Sequence, residues 1–133
     1  MTAAVQLGLS TLGQIALPAR DVARSVEFYR DKLGIRLLFQ GPNMAFFDCG
    51  GVRLMLGPMD GAKLLFSEQA GSIVYFKVED IGQATAALKA RGIAFERDPH
   101  PVAKMPDHEL WHAFFRDPDG NVLGLMCEQR SST

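Results

Sequence analysis

Two cysteines, Cys49 and Cys127, are all the chain has, and a single tryptophan, Trp111. Two distant thiols make neither a disulfide framework nor a Cys-x-x-Cys site, so a small disulfide-stapled fold is excluded. They are expected to be small, half-buried or buried thiols in a reducing compartment. Charge of one sign is also lacking. The formal net charge is −1, so no basic field draws nucleic acid or an anionic membrane to the surface. No apolar run approaches the roughly 18 residues of a membrane span. The N-terminus lacks the charged start and long apolar run of a secretion signal. These absences lead to the expectation of a soluble cytoplasmic protein with no nucleic-acid and no membrane partner. What is abundant is core material. Of 133 residues, 47% are hydrophobic and 22% charged, enough to bury a core in one domain or two small fused modules.

The chain reads as one unit written twice. Leu12 to Ala19 alternates as a strand. Asp21 stands where a helix N-cap belongs, Val22, Val26, Tyr29 and Leu33 follow at helical spacing, and Gly34 ends the helix. Ile35 to Gln40, Met44 to Cys49 and Val52 to Leu56 read as three further strands, the last two joined by Gly50-Gly51. The order then restarts. Ser72 to Val78 reads as a strand. Asp80 caps a helix with Gln83 three residues on, Ile81, Ala84 and Leu88 form its apolar stripe, and Gly92 stops it. Ile93 to Arg97, Leu110 to Arg116 and Asn121 to Met126 are the last strands, with Pro99 to Asp107 as a longer loop. Asp117-Pro118-Asp119-Gly120-Asn121 is strong turn chemistry between the final pair. Asp21 and Asp80 stand at nearly the same offset as Gly34 and Gly92, which supports a duplicated module. The expected division is an arm over 1–11, a first module over 12–57, a linker over 58–71, a second module over 72–128, and a tail over 129–133. The class is α+β: two βαβββ modules.

The stretch from Gln14 to Gly34 (QIALPARDVARSVEFYRDKLG) and the stretch from Phe114 to Asn121 (FFRDPDGN) resemble the vicinal oxygen chelate superfamily, also called the glyoxalase/bleomycin-resistance/dioxygenase superfamily. With the repeated order, the resemblance covers nearly all of residues 12–128. It implies paired βαβββ modules that form a curved mixed sheet around a ligand cavity, with helices on the outer face, and it implies a homodimer. It does not name an activity, because one scaffold of this kind hosts many chemistries.

The metalloenzymes of that superfamily place His or Glu ligands at four inward strand positions. Carried over one at a time, these fall on Gln14, Met55, Ile73 and Gly124. Met, Ile and Gly cannot serve a hard or borderline divalent ion, which takes carboxylate or imidazole. The family's divalent metal is therefore expected to be absent, with no cofactor in its place. If those four positions face the cavity, alternation puts Ala16, Arg53, Tyr75 and Val122 there too. Counting back from the turn, as the resemblance implies, adds His112 and Phe114, and repeat symmetry adds Met44 and Phe46. The expected wall is mostly apolar, with Gln14, Arg53, Tyr75 and His112 as its polar groups, which suits a small-molecule site.

Each of these residues also has a plainer reading. His112 can be a hydrogen-bonded histidine on a half-buried strand, Arg53 a surface cation or an ion-pair partner, and Phe46 and Phe114 core; Trp111 either shields a pocket edge or a dimer seam or, more plainly, packs. His108, Glu109 and His112 carry metal-ligating chemistry outside the family positions. Residues 108 and 109 alternate in direction, however, and His108 and His112 lie roughly 13 Å apart in an extended strand.

Three functions follow as expectations. The first is a metal-free protein that binds a small, partly hydrophobic or aromatic organic molecule. The second is a lyase, isomerase or epimerase, or a dioxygenase-related enzyme, acting on a carbonyl or vicinal-oxygen substrate. In it His112 is the acid–base group and Gln14 or Arg53 polarises an oxygen. The third is an interaction protein whose cavity is filled by its own side chains. Burying Arg53 and His112 without partners is costly, which favours the first two.

Overall fold

Asp21 and Asp80 begin both helices as their spacing predicts. In the computed structural model, which describes residues 7–57 and 72–130, Asp21 Oδ1 accepts the Arg24 N–H at 3.1 Å and Asp80 Oδ1 accepts the Gln83 N–H at 3.0 Å. The elements in order are β1 (Gln14–Pro18), α1 (Val22–Val26), β2 (Arg36–Gln40), β3 (Ala45–Cys49) and β4 (Val52–Gly57), then β5 (Val74–Lys77), α2 (Ile81–Ala90), β6 (Phe95–Lys104), β7 (His108–Arg116) and β8 (Val122–Arg130). The fold is α+β. Two βαβββ modules make two four-stranded mixed sheets, ordered β1-β4-β3-β2 and β5-β8-β7-β6. In each sheet the first strand runs parallel to the fourth, and the remaining neighbours are antiparallel. The expected linker over 58–71 lies outside the described residues, as do 1–6 of the arm and 131–133 of the tail.

Alternation along the strands sorts the side chains into two faces. Ala45, Phe47, Leu54, Leu56, Ala113, Phe115, Leu123, Leu125 and Cys127 are buried in one core with Val22, Val26, Phe28 and Tyr29 of the first helix and Ile81 and Leu88 of α2. The opposite parity is left uncovered by the helices, and the expected wall residues that lie on strands share it, whereas Met44 and Ile73 precede their strands. Gly34 and Gly92 close their helices at φ +73° and +89°, the left-handed conformation that favours glycine.

Three features differ from the sequence-based expectation. The expected first helix is α-helical only over Val22–Val26 and widens into a π-helical turn over Glu27–Lys32, which the Leu33 N–H closes by donating to the Phe28 carbonyl at 3.0 Å. Two consecutive aromatics in it, Phe28 and Tyr29, are both buried. Second, the expected loop over Pro99 to Asp107 is largely strand. β6 runs on to Lys104 against β7, which starts at His108, and only the short turn between them is irregular. Pro99 and Pro101 fit because β6 is an edge strand and its register breaks three times between Phe95 and Ala103. Third, β8 continues past Met126 to Arg130 along the lengthened β7.

The two modules are tied at the helix side. Tyr29 Oη donates to Asp117 Oδ2 at 2.7 Å. Asp119 accepts the Arg20 N–H at 3.0 Å and the Ser25 hydroxyl at 3.0 Å. Asn121 Nδ2 donates to the Pro18 carbonyl at 3.0 Å. The final turn of the second module thus grips the helix start of the first.

Candidate functional site

On the first sheet, the exposed parity brings Gln14, Ala16, Phe46, Arg53 and Met55 onto adjoining strands. Gln14 pairs with Arg53, and Met55 lies between Ala16 and Phe46. Gln14 Nε2 stands 3.8 Å from Met55 Sδ. The Arg53 guanidinium carbon lies 5.4 Å from the Phe46 ring centre, a cation–π arrangement. Met44 precedes β3 and is exposed. Phe39, which sequence reasoning did not single out, adds an exposed ring 6.4 Å from Phe46. The register of β2 shifts at Leu37 to Phe39, so simple alternation does not find it.

The second sheet carries the denser cluster. Tyr75 and Phe114 pair with Gly124 from either side. The Tyr75 ring centre is 4.7 Å from that of His112 and 5.8 Å from that of Phe114. His112 and Phe114 meet edge to face at 5.7 Å. Val122 is half-buried near the start of β8. His100 joins the cluster, opposite His112 in register and 6.1 Å from Phe114. The loop expected over 99–107 concealed it, since parity can be counted only along a strand. Ile73, expected within a strand over Ser72 to Val78, falls one residue before β5, which starts only at Val74, and is 39% exposed.

Burial, and secondarily the charge of His100, hold the His112 pKa below the ordinary 6.5. The imidazole is neutral at neutral pH, able to accept a proton at one nitrogen while donating from the other.

The four positions that the resemblance marks as metal ligands present an amide, a thioether, a hydrocarbon and a bare backbone. Gln14 is turned toward Met55, and Gly124 has the Tyr75 ring across it. This donor set does not fit a divalent ion. The alternative trio is dispersed. His108 Nδ1 lies 2.7 Å from Asp107 Oδ1, Glu109 accepts the Trp111 indole N–H at 2.7 Å, and His112 stacks on Tyr75. Trp111 is half-buried against the core. Among the described residues no three His, Cys, Asp or Glu side chains gather as a metal site. Among the same residues the ring and hydrogen-bond contacts of each face stay within its own sheet. A separate apolar cavity of about 230 Å³ lies on the helix side, lined by Leu33, Ile35, Phe76, Leu88 and Phe115 with Arg91 at its wall. Apart from Ala87 and Arg91, which are exposed, its lining residues belong to the core or pack on it, so it lies apart from this face.

A family model described as "Glyoxalase/Bleomycin resistance protein/Dioxygenase superfamily" matches residues 11–125. The chain is 32% identical to "Uncharacterized protein YraH" of Bacillus subtilis (strain 168) over 126 residues, covering 84% of this chain and 94% of that protein. It is 26% identical to "Catechol-2,3-dioxygenase" of the same organism over 129 residues, covering 92% of this chain but 43% of that longer protein. Among solved structures, a glyoxalase/bleomycin resistance protein/dioxygenase from Alicyclobacillus acidocaldarius superposes with a TM-score of 0.70 at 24% identity, covering 90% of this chain and 92% of that one; this likeness bears on the fold alone.

Proposed function

The chain belongs to the glyoxalase/bleomycin resistance protein/dioxygenase superfamily, and we propose that it is a metal-free member that binds a small, partly hydrophobic or aromatic organic molecule on the faces its helices leave uncovered. One observation carries the reading: exposed Phe39, Met44 and Tyr75 gather with half-buried Phe46, Met55 and Phe114 on those faces, where nothing in the fold requires large apolar side chains. Apolar surface concentrated in this way marks a binding site. Gln14, Arg53 and His112 give it the few polar groups that orient a ligand. The contacts of each face end within its own sheet, so a second copy of the chain is the proposed partner that encloses the ligand. No helix among the described residues is long and apolar enough to cross a membrane, and the net charge of −1 offers nucleic acid little. A cytoplasmic location accords with the thiol usage.

The neutral His112 imidazole favours a second reading, a lyase, isomerase or epimerase in which His112 moves a proton at a carbon beside a carbonyl and Gln14 or Arg53 polarises the oxygen. The similarity to a catechol-2,3-dioxygenase adds a vicinal-oxygen compound to the substrates worth testing.

The test is elemental analysis of protein purified without chelator or added metal, with thermal-shift titrations of manganese, iron, nickel and zinc. Metal near zero per chain and no shift supports the metal-free reading. Stoichiometric metal that disappears in His112→Ala overturns it. In a screen of aromatic and carbonyl compounds, Gln14→Ala and His112→Ala should keep the fold and weaken binding or turnover. Unchanged affinity in both variants would place the site elsewhere.

A further inference from the structure

The same row of three strands is built in opposite ways in the two sheets. In the first it runs Ala16, Met55, Phe46, small on the outer strand and large at the centre. In the second it runs Tyr75, Gly124, Phe114. The bulk has moved from the central strand to its neighbour. Gly124 is what permits this. A Cβ there would stand 2.7 Å from Tyr75 Cδ1, 2.9 Å from Tyr75 Cε1 and 3.3 Å from Phe114 Cε1, so the Tyr75 ring lies across bare backbone. Phe114 meets that ring at 69° and His112 tilts against it at 42°, bracing it on two sides. Even so, Tyr75 remains 38% exposed. A braced ring with exposed surface loses little freedom when a second ring settles on it, and aromatic contacts favour offset or edge-on partners.

We infer that Tyr75, seated on Gly124 and braced by His112 and Phe114, is the specificity-determining residue of this face and selects planar aromatic ligands over saturated molecules of the same skeleton. The inference rests on the reading of the face as a small-molecule site and adds the class of ligand. A side chain at 124 would displace the ring, so Gly124 and Tyr75 act as one unit.

The experiment compares 1-naphthol with its saturated analogue 1-decalol, by calorimetric titration of the full chain. The expected preference for 1-naphthol is about two- to tenfold, the contribution of one aromatic contact beyond buried area. Tyr75→Leu should abolish the preference while leaving weak binding of both compounds, and Gly124→Ala should do the same. In ligand-free protein, Gly124→Ala should lower Tm in the wild-type background and far less in Tyr75→Leu, because the clashing ring is gone. Equal affinity for the two compounds in wild type, or a preference that survives Tyr75→Leu, overturns the inference and leaves the binding reading standing. If neither compound binds while the stability coupling is present, the binding reading fails and the selectivity falls with it. Additive effects of the two substitutions on Tm would break the unit itself.

Discussion

Tyr29→Phe removes one oxygen and little else. The Tyr29 ring packs against Phe28 and Phe47 at centroid distances of 5.4 and 5.8 Å, and phenylalanine keeps that packing. What goes is the hydrogen bond to Asp117 Oδ2 at 2.7 Å, made where Tyr29 is fully buried and Asp117 nearly so. A bond to a charged partner contributes about 1.5–3 kcal/mol. Asp117 keeps the Asp119 N–H, the Asn121 N–H and the Asn121 side-chain amide, so the lower part of that range applies, about 1.5–2 kcal/mol. For a chain of 133 residues this is about 5–8 °C in Tm, or about 1 M in the urea midpoint at unchanged slope. The assay is urea unfolding followed by far-ultraviolet circular dichroism. A second arm uses pH. Burial, then the charge of Asp117 and the hydrogen bond to it, push the Tyr29 pKa well above the ordinary 10.0. A pKa raised by folding means that the retained proton stabilises the fold. That contribution is fully present below about pH 10 and is lost as pH rises through the folded value. Wild type should therefore lose its advantage over Tyr29→Phe at alkaline pH. A loss below about 0.5 kcal/mol at neutral pH, or alkaline curves that stay parallel, would refute the assignment of this bond as a tie between the modules.

Asp119→Ala strips the carboxylate that accepts from Arg20 and Ser25 and lies 3.4 Å from an Arg24 guanidinium nitrogen. It leaves the buried Ser25 hydroxyl without that partner, so a cost of about 2–3 kcal/mol is expected by urea unfolding, and a cost near zero would show that the turn does not hold the helix. Gly34→Ala forces φ +73° on a residue with a Cβ and should cost about 1 kcal/mol in a thermal melt; no change would mean that the C-terminal turn relaxes freely. The His112 titration midpoint, read by proton NMR, should lie below 6.5, and in His100→Asn it should rise yet stay below 6.5, because burial is the larger cause. A midpoint at or above 6.5 in wild type would place His112 in water.

The repeat and its punctuation were legible because they are local. Asp21, Asp80, Gly34 and Gly92 act on their own neighbours in sequence, and the alternation of Leu54 and Leu56 with Arg53 and Met55 separates core from site face by a period of two. Alternation pointed to Tyr75 and the family's count from the turn to His112 and Phe114, and the three rings adjoin one another. Alternation could not bring in His100, whose strand is disguised by prolines and broken register. The ligand positions carried over from the resemblance treated Gly124 as a missing side chain, whereas the contact with Tyr75 makes it a requirement. The tie between Tyr29 and Asp117 spans 88 positions, and no periodicity reports a partner so far along the chain.

The two hairpin turns of the duplicated unit have taken on different duties. The first, at Gly50 and Gly51, closes on its own Asp48 at 3.0 Å, and open space surrounds both glycines. The second, from Asp117 to Asn121, is committed to the opposite module. A peptide tag or a foreign loop grafted between Gly50 and Gly51 has only a local hydrogen bond to disturb, whereas the same graft beside Gly120 would disengage the halves from each other. For anyone wishing to label, immobilise or permute this protein, the first turn is the handle and the second is the lock.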